Sequence, residues 1–237
     1  MAEATIEAVI FDWGGTLTPW RTMDPADEWA ALAGLAAPGR VGEAAAALLD
    51  AAETVWARSR DEHRSATLEE ICALAGVPFD EAHLTGYQSF WEQATFADED
   101  VLPLFSRLKV DGLKVGVLSN TVWPRAWHEE YFRRDGVLEM LDGAVYTSEI
   151  PWTKPAPEAF HAAMEAVGVD EPRACVFVGD RLFDDIWGAS NVGMRTILVP
   201  HSDIPPTQLG HTAGESDAVV ERLSHVYDVV EAWRAAG

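Results

Sequence analysis

The chain has 237 residues, a length that suits one large domain or one domain carrying an insertion. Its 39 acidic residues against 17 basic ones give a net charge of -22, a field that repels phosphate backbones and anionic membranes and argues against nucleic acid and lipid surfaces as partners. A hydrophobic share of 48% supplies a core, no apolar run approaches the ~18 residues of a membrane span, and the start, MAEATIEAVIF, lacks a basic signal segment, so a cytoplasmic location is expected.

The first strand is expected at EAVIF (7–11), a short apolar run that stops at Asp12 and is followed by Gly14-Gly15. About a hundred residues then separate it from the next strand, far more than an ordinary crossover uses. They carry helical signals. Asp24-Pro25 is an N-cap with proline at the first helical position. Val41, Ala45, Leu48, Ala52 and Val55 line one helix face. Thr67 and Glu70 form a capping-box pattern closed by Gly76, and Asp80 starts a helix with Leu84, Tyr87 and Trp91 on one side. An insertion at this point hangs over the carboxyl edge of the sheet, the position of a lid. The expected division is 1–17 and 97–237 as the core and 18–96 as a helical cap.

Four further strands are expected at LKVGVLS (113–119), GAVYT (143–147), ACVFVG (174–179) and RTILV (195–199). None alternates, as expected of parallel strands covered on both faces. Helical patterns separate the later ones, Phe160, Met164 and Val167 being one such face. The fold class is therefore α/β, a doubly wound parallel sheet with a small helical cap domain. The tail, 217–233, reads as a short strand and an amphipathic helix without a function. Cys72 and Cys175 form no disulfide framework, and Cys175 reads as a small buried side chain.

Ligands of such sheets bind at the carboxyl ends of the strands. Asp12, Ser119-Asn120, Lys154, and Asp180 with Asp184 and Asp185 all fall there. Several carboxylates facing one lysine repel each other, which a divalent cation relieves, and an oxygen-only donor set suits Mg²⁺. A cation and a lysine together attract a dianion such as a phosphoryl group, and an ionised Asp12 can attack phosphorus.

The runs FDWGGTL, VLSNT, WTKPAPEAF and VFVGDRLFDDIWGA resemble motifs I to IV of the haloacid dehalogenase-like (HAD) superfamily, in the branch with a helical cap between motifs I and II. The resemblance covers residues 5 to about 200. It implies that Asp12 is the nucleophile and that Asp12, the Gly14 carbonyl, Asp180 and Asp185 hold magnesium, with Asp184 matching a shorter variant of the spacing. It implies that Thr16, Ser119 and Asn120 hold phosphoryl oxygens and that Lys154 orients the nucleophile.

Most phosphatases of that family carry a second aspartate where this chain has Gly14; it protonates the leaving oxygen and then activates water. Glycine does neither, and the missing effect is worth roughly 10²–10⁴ in rate. Phosphonoacetaldehyde hydrolases, which also lack it, need a cap lysine, and Lys109, Lys114 and Lys154 all lie outside the cap. The expected activity is Mg²⁺-dependent hydrolysis of a small phosphorylated metabolite through an aspartyl-phosphate at Asp12. The alternatives are a 2-haloacid dehalogenase-type carbon–halogen hydrolase and a non-catalytic binding module on the same scaffold. Asp61, Glu62 and His63, at the end of a long helix, are candidates to replace the missing acid. Arg58 and Arg60 in the same run are candidates to grip an anionic substrate, with a surface salt bridge as the alternative. Of the ten tryptophans, Trp13, Trp20, Trp123, Trp127 and Trp152 fall near strand-end loops, where packing between cap and core is their commoner use. His128 is expected to be structural. Oligomeric state is open.

Overall fold

A computed structural model describes residues 5–21, 23–200 and 214–236, so the first residues of the N-terminal segment lie outside the described residues. Six strands, β1 (Ala8–Phe11), β2 (Lys114–Ser119), β3 (Gly143–Tyr146), β4 (Cys175–Gly179), β5 (Arg195–Leu198) and β6 (Ala218–Val219), form one sheet. Its order is β3-β2-β1-β4-β5-β6, and every pairing is parallel. β1 lies at the centre, where the chain winds first to one side and then to the other. The crevice beyond its carboxyl end is thus the topological switch point at which such sheets bind ligands.

The strands are apolar throughout because both faces are covered. Val9, Phe11, Val117 and Val178 join the side chains of α5 (Val101–Val110) and α9 (Val226–Ala236) on one face. Ile10, Leu118 and Phe177 join Phe160, Met164 and Val167 of α7 (Pro157–Val167) on the other. The remaining core helices are α6 (Arg125–Arg134) and α8 (Gly188–Val192).

Between β1 and α5 run α1 (Pro25–Ala36), α2 (Val41–Glu62), α3 (Leu68–Ala75) and α4 (Glu81–Trp91). The capping signals act as expected at three starts: the Asp24 and Asp80 carboxylates accept from Ala26 and Ala82, and the Thr67 hydroxyl accepts from Glu70. The capping box at Thr67 is only half formed, because the Glu70 carboxylate turns to Arg58 instead. Trp29, Leu32, Leu48, Ala52, Ile71, Leu84 and Tyr87 bury the inner faces of these helices in the same continuous cluster as one face of the sheet. Among the described residues no helix is long and apolar enough to cross a membrane.

Candidate active site

Asp12 follows β1, and its amide still donates to the Val178 carbonyl at 2.9 Å, so the carboxylate is anchored at the seam of β1 and β4. The chain then turns tightly. Leu17 and Thr18 donate to the Trp13 carbonyl, and Gly15 donates to that of Thr18. The two glycines are not equivalent. Gly15 has φ +94°, and a Cβ there would stand 2.5 Å from Asp180 Oδ2, so only glycine fits. Gly14 has ordinary backbone, and a Cβ on it would meet nothing within 4 Å. The turn requires Gly15 and leaves position 14 free.

Lys154 is 3% exposed and bridges two carboxylates, with Nζ 2.6 Å from both Asp12 Oδ1 and Asp185 Oδ1. Asn120 holds this lysine by its backbone, accepting from the Lys154 amide at 2.8 Å and donating to its carbonyl at 3.1 Å. The resemblance places Asn120 on phosphoryl oxygens; here its amide positions the lysine, with one N–H left over. Ser119 is buried at the end of β2, and the Thr16 hydroxyl donates to Asp180 Oδ1 at 3.3 Å.

Asp185 sits in a wide turn of helix, Leu182–Trp187, in which the amides of both Asp185 and Ile186 donate to the Arg181 carbonyl. Its second oxygen accepts from the Arg181 amide at 2.9 Å. This turn aims Asp185 inward and sets Asp184 at the rim, so Asp12, Asp180 and Asp185 form the cluster, with one oxygen of each within 4.8 Å of the others. Burial, then the neighbouring charges of the other two, raises the Asp180 carboxyl well above its usual range. Burial likewise lifts Asp12 to about 6 against the pull of Lys154. Burial alone would lower the Lys154 ammonium, but Asp12 and Asp185 outweigh it and hold the group above its usual value. Burial raises Asp184 to about 6.

Asp180 Oδ2 is buried without a hydrogen bond; Arg181 Nε approaches it only to 3.6 Å. An orphaned carboxylate oxygen beside two other carboxylates fits a small oxygen-seeking cation.

The other candidates are placed as follows. Arg58 makes a bidentate pair with Glu70 and donates to the Ser65 carbonyl, so it braces α2 on α3, in line with its salt-bridge alternative. Asp61 and Glu62 are exposed, whereas His63 turns towards Phe183, ring centroids 6.3 Å apart. Trp13 stands edge-on to Trp123 and to His128. Burial, with Arg125 nearby, lowers His128 to about 3 and keeps it neutral, a structural role. Trp20 and Trp152 lie under the guanidinium groups of Arg181 and Arg64. Sequence reasoning missed a buried chain in which Trp123 donates to the Tyr87 hydroxyl and that hydroxyl donates to Glu28 at 2.5 Å. No local signal separates Glu28 from the many exposed acids of these helices.

A family model, haloacid dehalogenase-like hydrolase, matches residues 6–193. A glyceraldehyde 3-phosphate phosphatase from Methanopyrus kandleri is 30% identical over 131 residues, 55% of each chain. The chain thus spans about half the length of that curated relative. Two solved structures share the fold over nearly the whole chain. One is a HAD phosphatase from Thermococcus onnurineus, with TM-score 0.65, 21% identity and coverage of 95% and 98%. The other is a 2-haloacid dehalogenase from Pseudomonas syringae pv. Tomato, with TM-score 0.65, 23% identity and coverage of 96% and 99%.

Proposed function

Since the chain belongs to the haloacid dehalogenase-like hydrolase family, we propose that it is a phosphohydrolase that cleaves a small phosphorylated metabolite by attack of Asp12 on phosphorus, with residues 18–96 serving as the cap. One observation carries this reading: three buried carboxylates cluster where a single lysine bridges two of them, and an oxygen of the third, Asp180 Oδ2, has no hydrogen bond. The sequence likeness to a curated phosphatase supports it.

Asp12, the Gly14 carbonyl, Asp180 and Asp185 would hold Mg²⁺, which when bound neutralises charge on the phosphoryl oxygens. Lys154 keeps Asp12 ionised and fixes the direction of its attacking oxygen. Asn120 keeps Lys154 in place through the backbone. Thr16 and Ser119 offer hydroxyls beside the cluster for the non-bridging oxygens.

The test is hydrolysis of an aryl and an alkyl phosphate with and without Mg²⁺, wild type beside Asp12→Asn. Metal-dependent release that falls at least ~10³-fold in the variant is expected, since the nucleophile itself is lost. Release unaffected by the substitution would overturn the reading.

A further inference from the structure

If Gly14 carries no acid, a proton must come from elsewhere when the leaving oxygen is poor. We infer that His63 supplies it, acting as the general acid and then the general base of the hydrolysis; this rests on the reading of Asp12 as the nucleophile.

Three features single out His63. The first is its backbone. His63 ends α2 in the left-handed conformation, φ 53°, and is the sole non-glycine residue at positive φ among those described. Three other helices here end in that conformation, and each uses glycine: Gly76, Gly168 and Gly193. Glycine occupies that conformation without strain, so the structure retains a strained side chain where none is needed for the turn.

The second is its attachment. Residues 63–65 pair with 150–153, the segment that delivers Lys154. The Thr153 amide donates to the His63 carbonyl at 2.9 Å, the Ser65 amide donates to the Pro151 carbonyl at 3.1 Å, and the Ser59 hydroxyl donates to the Thr153 hydroxyl. The Ser65 hydroxyl also bonds the Ile150 carbonyl, and Arg64 bridges Trp152. The backbone of His63 is therefore set one residue from that of Lys154, whose Nζ touches Asp12. These bonds fix the His63 backbone to the segment that carries Lys154.

The third is the ring. Nδ1 is buried with no hydrogen-bond partner, and the imidazole lies against Phe183, which itself stacks on Trp187 at 4.9 Å. The charged group facing it from that turn is Asp184, whose ionisation a charged His63 favours. From the 150–154 segment the nearest charge in sequence is Lys154. Beside it in the chain, Glu62 is exposed and Arg64 is turned onto Trp152. An imidazole can give up a proton and take one back, which a general acid that later serves as base must do.

The steps balance. As an Asp12 oxygen bonds to phosphorus and the ester P–O bond breaks, the proton on His63 passes to the departing alkoxide, giving the alcohol. Neutral His63 then takes a proton from water as that water's oxygen bonds to phosphorus. The Asp12–phosphorus bond breaks, releasing phosphate and restoring protonated His63.

His63→Gly is the informative variant, because glycine relieves the left-handed strain and keeps the fold; its Tm should equal or exceed that of wild type. An alkyl phosphate needs a proton on its leaving oxygen, and its kcat should fall about 10²-fold or more. With an aryl phosphate, whose leaving group departs unprotonated, the first equivalent of phenol should still be released within about threefold of the wild-type rate, followed by slow turnover as the phosphoenzyme waits for its base. Any limb of the kcat/KM profile for the alkyl ester that belongs to His63 should vanish. Alkyl turnover within about twofold of wild type with an unchanged pH profile would overturn the proposal, as would equal loss of both esters including the first aryl turnover. Failure of the underlying reading is distinct: Asp12→Asn would then release phosphate as fast as wild type, whatever His63 does.

Discussion

Installing the absent acid is the sharpest test of what Gly14 means. In Gly14→Asp the new Cβ meets nothing within 4 Å and the backbone needs no left-handed residue, so the backbone and Cβ accept the substitution. Its electrostatic cost is real. At a separation of about 6 Å, a fourth carboxylate would add repulsion of about 3 kcal/mol per ionised neighbour at an effective dielectric of 20, shared among groups that already hold part of their charge back. Without metal the variant should melt below wild type, and millimolar Mg²⁺ should recover most of the difference. In return the aspartate can protonate a leaving alkoxide and activate water, an effect worth roughly 10²–10⁴ where nothing else provides it. Where His63 already acts, the gain is smaller, so alkyl phosphate kcat should rise about tenfold in the wild-type background and about 10²-fold in His63→Gly. Steady-state kinetics with both esters, beside thermal melts with and without Mg²⁺, reads all of this. A folded, Mg²⁺-responsive Gly14→Asp enzyme with no gain on the alkyl ester in either background would refute the view that position 14 lacks a needed acid.

Two further substitutions probe what surrounds the cluster. Gly15→Ala forces a Cβ to 2.5 Å from Asp180 Oδ2 at φ +94°, and should cost about 1–3 kcal/mol in urea unfolding and weaken Mg²⁺ activation, whereas an unchanged midpoint would mean that the turn relaxes freely. Burial, against the Tyr87 hydrogen bond, raises the Glu28 carboxyl from 4.5 to about 7; the unfolded chain then releases a proton that the fold retains, stability falls as pH rises through that window, and it levels off about 3 kcal/mol lower. Relative to wild type, Glu28→Gln should gain about that amount between pH 5 and 8, and parallel stability curves would remove Glu28 as the cause.

Elements whose cause is local were legible in the sequence. The strands showed because burial on both faces removes alternation, and the helix starts because Asp24, Thr67 and Asp80 cap their own next residues. The four polar strand ends were legible because parallel topology sends them all to one edge. What escaped depends on partners distant in the chain. Arg58 and Glu70 each suited another role until the packing of α2 on α3 brought them together. Asn120 looked like a phosphate ligand because its neighbours do, and only the approach of the 150–154 segment gives its amide the lysine backbone. The preference for Asp185 over Asp184 is read from the motif spacing, and one wide helical turn is what brings Asp185 to the cluster. The strained backbone of His63 is invisible, since glycine is what the position would suggest.

Fold likeness reaches a phosphatase and a dehalogenase at the same TM-score of 0.65, so it does not separate attack at phosphorus from attack at carbon. Charge separates them better. With Asp12, Asp180 and Asp185 ionised around Lys154, the cluster is net negative by two before any substrate arrives. Displacing a halide from a haloacid brings a carboxylate into that field and generates a second anion, and neither step gives Asp180 anything to do. Its hydrogen-bond-free oxygen would then be a buried cost with no return. Phosphoryl transfer uses the same arrangement differently. A divalent cation at the three carboxylates would favour their ionised forms, reversing the burial that lifts Asp12 and Asp180, and would turn a net repulsion of the dianion into attraction. Three clustered acids with none at position 14 fit the proposed reading, in which the site would hold a cation and a nucleophile and take its proton from another residue.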